Sequence, residues 1–235
     1  WRVATSKLQP YETDIRIPYI VRGPGIKPGA KIPQVSGNVD FTPTLLDLAG
    51  VAKPKFMDGK SLAPFFISEE NPYFKPLAPE EKQKYSNEWR KHFLIEFKAL
   101  SDSFNDHADI WVPDNTYHGH NGRGPRSPVG TKKCVLGKGV GDGTCWYIDS
   151  LSSNSWRALR VLNENSNLVY IEFDHTWTWS NTSIEFRELY DIDSDPYQMK
   201  NLVNMTSPSD LADLHQTLQK YQECKGNIAT ESNCV

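Results

Sequence analysis

The chain has 235 residues, 38% hydrophobic and 23% charged, with a formal net charge of −3. That length and makeup suit a globular protein with one large core or two small ones. No basic run exceeds two residues, which argues against a nucleic-acid partner, and no apolar stretch approaches the roughly 20 residues of a membrane-spanning helix.

The chain opens on Trp1 with neither an initiator Met nor a leader, so it reads as the later part of a longer protein. Ile17-Pro18-Tyr19-Ile20-Val21 reads as a short buried strand, ended by the turn Gly23-Pro24-Gly25. A helix is predicted next, with Thr42 as N-cap and Pro43 at its first position. Leu45, Leu46, Leu48 and Ala49 should face the core, and Gly50 should end the helix in a left-handed cap. Met57-Asp58-Gly59-Lys60-Ser61-Leu62 reads as a turn leading into the apolar Ala63-Pro64-Phe65-Phe66. Strand, helix and turn in this order fit the edge of an α/β domain over residues 1–67.

Residues 68–91 are polar and rich in Glu, Lys and Pro, and read as a surface connection. His92–Phe97 then begins a second region, 92–235. A long irregular stretch, 99–154, interrupts it; a loop of that size in a compact domain is functional or disordered. Three alternating segments, Trp156–Leu162, Leu168–Phe173 and Phe186–Ile192, predict an antiparallel meander. Pro208 starts a last helix, with Leu211, Leu214, Leu218 and Tyr221 on one face toward the sheet.

Four cysteines form two close pairs, Cys134 with Cys145 and Cys224 with Cys234. Their spacing suits no zinc site. Two local disulfides, each worth about 2–3 kcal/mol in the chain-entropy model, are preferred over four buried thiols. Asn181-Thr182-Ser183 and Asn204-Met205-Thr206 are glycan acceptor sequences. Together these features favour a secreted or lysosomal compartment.

Five motifs occur in order. They are Lys7-x-x-x-Tyr11-Glu12-x-Asp14-Ile15-Arg16-x-Pro18, Arg22-Gly23-Pro24-Gly25-Ile26, Asp40-x-x-Pro43-Thr44-Leu45-Leu46-Asp47-Leu48-Ala49-Gly50, Asp58-Gly59-x-Ser61-Leu62, and Glu188-Leu189-Tyr190-Asp191-Ile192-Asp193. In sequence and order they resemble the type I, formylglycine-dependent sulfatases. Trp156–Leu162 before Asn167-Leu168-Val169-Tyr170 is similar to the branch holding N-acetylglucosamine-6-sulfatase and eukaryotic arylsulfatases; 99–154 is unmatched.

The resemblance implies an alkaline phosphatase-like α/β edge followed by a C-terminal α+β subdomain, a four-stranded antiparallel sheet with a packed terminal helix. It implies hydrolysis of sulfate esters, of sulfated sugars or glycosaminoglycans, in which a hydrated formylglycine attacks sulfur beside a calcium ion. The Cys-x-Pro-Ser-Arg motif that supplies formylglycine does not occur in the sequence. An N-terminal portion of the same protein is therefore expected to supply nucleophile and calcium ligands, no metal ligand being expected in this chain, which alone should be inactive. Lys7 matches the family lysine that contacts the substrate sulfate, a mobile point charge suited to an oxygen gaining charge in the transition state. A non-catalytic carbohydrate-binding or structural relative, or a phosphodiesterase of the same superfamily, are the alternatives.

Other candidates rest on the residues alone. His118 and His120, close to Arg123 and Arg126, offer a substrate-binding loop. Glu12 and Arg16 can pair and orient the Lys7 segment. Asp191, Asp193 and Asp195 invite a calcium reading, but a turn capped by Asp side chains is preferred because the run lacks the Gly and Glu of an EF-hand loop. Trp177 and Trp179 suit a turn with partly buried indoles better than a sugar platform.

Overall fold

A computed structural model of the protein describes residues 9–68, 74–98, 155–174, 176–180 and 182–223. The helices are α1 (Glu12–Ile15), α2 (Phe41–Leu48), α3 (Ala63–Phe66), α4 (Pro79–Asn87) and α5 (Pro208–Glu223). The strands are β1 (His92–Phe97), β2 (Trp156–Asn163), β3 (Ser166–Phe173) and β4 (Phe186–Asp191). The strands form one antiparallel sheet in the order β1-β2-β3-β4, as the meander predicted. Its tight hairpin is local in origin: the Asn165 N–H donates to Asn163 Oδ1 at 2.9 Å, closing the two-residue β2–β3 turn. The irregular stretch 99–154 lies outside the described residues.

The central strands are not half-buried as alternation predicts. Trp156, Arg157, Ala158 and Leu159 of β2 are all buried, as are Val169, Tyr170, Ile171 and Glu172 of β3. Arg157 and Glu172 are charged and nevertheless enclosed, because each neutralises the other. The terminal helix carries its expected stripe, with Leu218 buried, His215 buried beside it, and the Tyr221 ring 5.9 Å from His92 at the start of β1. Among the described residues no helix is long and apolar enough to cross a membrane.

Contacts divide the chain into two units. One comprises Trp1–Arg16, Ile95–Ala158 and Ile171–Leu189; the other Ile17–Leu94, Leu159–Tyr170 and Tyr190–Val235. The second unit has a core of Leu62, Ala63, Phe66, Ile67 and Trp89. Phe65, Tyr85 and Trp89 pack ring on ring there, with centroids 5.0 Å apart for Phe65 and Trp89 and 5.8 Å for Tyr85 and Trp89. The polar stretch before β1 thus holds helix α4 and, at its end, two inward side chains, Trp89 and Arg90.

Two local expectations fail here. Ile17–Val21 is not a strand, and Ile20 is 89% exposed. A strand needs a neighbour to complete its ladder, and Pro18 withholds one N–H; no described strand lies beside it. Helix α2 starts at Phe41, not after Thr42, and buries Pro43 and Thr44 while Leu45 and Ala49 are exposed. Thr44 turns inward because its hydroxyl donates to Asp40 O at 2.6 Å and accepts the Leu62 N–H at 2.9 Å. The far end follows expectation. Gly50 has φ 68°, its N–H donates to Asp47 O at 3.0 Å, and Val51 N–H donates to Leu46 O at 2.8 Å, a Schellman cap. Gly25, at φ 69°, closes the predicted turn.

Gly59 answers to a close approach. A Cβ there would stand 1.9 Å from Val39 O, a backbone atom that cannot swing aside. Gly59→Ala should therefore cost about 3 kcal/mol by overpacking, read as a lower urea midpoint. An unchanged midpoint would show that the two segments do not meet. Gly37→Ala should cost less, since the Cβ would meet the Phe93 ring, which can turn.

Candidate functional site

Lys7 lies outside the described residues, but the segment that follows it is placed. Asp14 is buried and accepts the Gln9 N–H at 3.2 Å, while Asp14 N–H donates to Tyr11 O at 2.8 Å. Tyr11 donates its hydroxyl to Glu188 Oε1 on β4 at 3.4 Å. Burial, then the Glu188 charge and hydrogen bond, push the Tyr11 hydroxyl up to about 12, so it stays a neutral donor. Glu12 and Arg16 pair at 3.8 Å as expected, but Arg16 is exposed, so the pair adds at most about 0.5 kcal/mol. What fixes the segment is Tyr11–Glu188 and Asp14, not that ion pair.

The same unit also holds a buried ion pair. Arg157 donates through Nε and Nη2 to Glu172 Oε2 at 3.0 and 2.7 Å, both side chains being fully buried, and Arg187 Nε lies 3.7 Å from Glu172 Oε1. The Arg157 guanidinium sits 4.6 Å from the Trp179 ring. With both Glu172 oxygens engaged and Arg157 and Glu172 fully buried, this pair orders the sheet. It was missed in the sequence, although the hairpin makes it legible: Arg157 and Glu172 stand equally far from the two ends of the Glu164-Asn165 turn, hence opposite one another.

Trp179 is held by an Asp-centred turn. Asp174 accepts the Trp179 N–H at 2.6 Å, the Thr176 N–H at 2.8 Å and the Ser183 hydroxyl at 2.6 Å. Burial works to raise the Asp174 pKa, but the hydrogen bonds from Ser183, Thr176 and Trp179 outweigh it, and the carboxyl lies below its ordinary value. Trp177 and Trp179 both adopt positive φ, 60° and 57°, where side chains other than Gly are rare. The turn is thus the expected one, with Trp179 buried and Trp177 half-buried.

The acidic run after β4 also folds as a turn. Asp191 accepts the Ser194 hydroxyl at 2.8 Å and the Asp193 N–H at 3.0 Å, and Asp195 accepts the Lys200 N–H at 2.8 Å. These bonds hold both carboxyls below the usual range. Among the described residues no group of three or more His, Cys, Asp or Glu could hold a metal, so they do not fit the calcium that the sulfatase resemblance implies.

His118, His120, Cys134, Cys145, Cys224, Cys234 and Asn181 lie outside the described residues. Asn204 is exposed in the 3-10 turn Val203–Met205.

Residues 6–110, which include the anchored Tyr11 segment, match the family described as N-sulphoglucosamine sulphohydrolase, C-terminal. The chain is 29% identical to the N-acetylglucosamine-6-sulfatases of Bos taurus and Homo sapiens, over 94% of its length and 32% of theirs. The chain is similar to sulfatases.

It spans about a third of the length of those curated relatives. Over 39% of the chain it is also 36% identical to the extracellular sulfatase SULF-1 homolog of Drosophila melanogaster, matching 7% of that protein. A solved structure of BT4656 in complex with its substrate D-glucosamine-2-N,6-O-disulfate superposes on 85% of this chain and 26% of its own chain. Its TM-score is 0.42 at 20% identity, a likeness too slight to carry an argument.

Proposed function

We propose that this chain is the C-terminal part of a sulfatase that hydrolyses sulfate esters of sugars, glycosaminoglycans among them. The observation that carries the reading is the alignment with N-acetylglucosamine-6-sulfatases over 94% of the chain. In this reading residues 1–67 close the edge of an α/β catalytic domain, residues 68–91 lead on to the 92–235 subdomain, and an N-terminal portion supplies formylglycine and the calcium ligands. An exposed apolar face supports such a partner. Tyr19 and Phe41 meet edge to face at 6.3 Å, and both are exposed, as are Ile17, Ile20, Val39 and Leu45.

Lys7 binds the sulfate group. The Tyr11–Glu188 and Gln9–Asp14 bonds tie down the described segment that follows it in the chain. His118 and His120 contact the sugar, the two cysteine pairs are disulfides, and Asn181 and Asn204 carry glycans. The compartment is secreted or lysosomal.

The test is release of inorganic sulfate from N-acetylglucosamine 6-sulfate. The full-length protein should release it and the isolated chain should not. Turnover by the isolated chain would overturn the placing of the nucleophile. Hydrolysis only of a phosphodiester analogue by the full-length protein would overturn the sulfatase reading.

A further inference from the structure

A cleft of about 900 Å³ opens in the second unit between α4, the loop before α2 and the β2–β3 hairpin. Its walls carry five side-chain amides, Gln34, Gln83, Asn87, Asn163 and Asn165, with two charged side chains, Lys91 just before β1 and Glu164 in the hairpin turn. We propose that this cleft binds a stretch of glycan, with Lys91 taking an anionic substituent such as a sulfate.

The chemistry of the open groups carries this. A sugar hydroxyl both donates and accepts, and its partner of choice does likewise without carrying a charge that must be stripped of water. An amide meets both conditions; a carboxylate accepts only and an ammonium donates only. The protein uses part of four of these amides to fix their place. Gln83 Nε2 donates to Asn87 Oδ1 at 2.9 Å, which orients the two along one face of α4. Gln34 Nε2 donates to Ser86 Oγ at 3.3 Å. Asn163 Oδ1 accepts the Asn165 N–H in the hairpin. The opposite ends of these amides have no partner among the described residues. Gln34 Oε1 is buried without any hydrogen bond, an acceptor left for a donor from outside.

The rest of the cleft suits the same ligand. Pro33, Val35 and Leu162 line it between the amides and offer apolar contact to sugar C–H faces. Lys91 is exposed, and no ion pair among the described residues engages its ammonium. The amide argument stands without the sulfatase reading; that the anionic substituent is a sulfate rests on it. Such a cleft would give a polymeric substrate a further point of attachment and add effective concentration.

The experiment titrates the full 235-residue chain with a heparin-derived hexasaccharide, its desulfated counterpart and polyglutamate, by calorimetry. The double variant Gln83→Ala/Asn87→Ala should weaken binding of both hexasaccharides about tenfold, and Lys91→Ala should weaken only the sulfated one, about threefold. All three positions are exposed, so the fold should survive. Absence of binding, affinities indifferent to the amide variants, or equal binding of polyglutamate would each overturn the proposal. Preference for an uncharged extended peptide would assign the cleft to a protein partner instead and would overturn it too. These variants should leave sulfate release from the small substrate by the full-length protein unchanged, so failure of the cleft and failure of the sulfatase reading are told apart.

Discussion

Replacing Arg90 with Met should destabilise the protein by about 3–5 kcal/mol, a large share of the 5–15 kcal/mol that holds a typical domain folded. Arg90 and Asp40 are both buried and pair through two bonds, Nη1 to Oδ2 and Nη2 to Oδ1. Asp40 accepts two more, from the Gly37 N–H at 3.0 Å and the Lys60 N–H at 2.8 Å. The guanidinium lies 4.8 Å from the Trp89 ring and 5.6 Å from the Phe93 ring. One carboxylate thus ties together the entry to α2, the turn before α3 and the residues leading into β1. Removing the arginine leaves that carboxylate charged in an apolar surround, and the surround cannot relax to solvate it. Asp40→Asn in the Arg90→Met background should recover part of the loss, because the amide oxygen still accepts a backbone N–H while the charge is gone. Urea unfolding of the parent, both single variants and the double variant gives the coupling. A single-variant loss below about 1 kcal/mol would show that the pair is solvated and not a keystone.

Lys7→Ala in the full-length protein should lower sulfate turnover by tens-fold or more, on the scale of one lost charge contact in a water-excluded site. The neighbouring geometry makes the loss local. Tyr11, Asp14 and Glu188 keep their bonds without Lys7, so the unfolding midpoint should hold while kcat falls. Lys7→Arg should restore little, since a planar fork does not replace a compact ammonium at a tight sulfate oxygen. Unchanged kinetics would remove Lys7 from the site. A fall in stability as large as the fall in rate would make it a structural lysine instead.

What could be read without coordinates was what neighbours in sequence settle between themselves. The β2–β3 hairpin rests on a two-residue polar turn between two β-rich runs, the Gly50 cap on one residue free to take positive φ, and the α5 stripe on three- and four-residue spacing. The Asp191–Asp195 turn is equally local, each carboxylate bonding groups within five residues of itself. Lys7 was singled out through a motif, with no physical account of its surroundings.

The misses share one cause. Ile17–Val21 has strand chemistry but no described strand beside it, and five residues of apolar sequence carry no instruction about who will pair with them. Leu45 looks like core and Thr44 like surface, yet Thr44 is the buried one because Leu62 brings it a backbone N–H from eighteen residues away. Arg90 reads as one more charge in a polar connection; its partner lies fifty residues back. The amides of the cleft are ordinary surface residues until the loop before α2, α4 and the hairpin are set side by side. Turns, caps and helix faces depend on bonds that close within a few residues, so composition and spacing decide them. Burial, charge pairing and clefts depend on which distant segments displace the same water, and only the folded chain decides that.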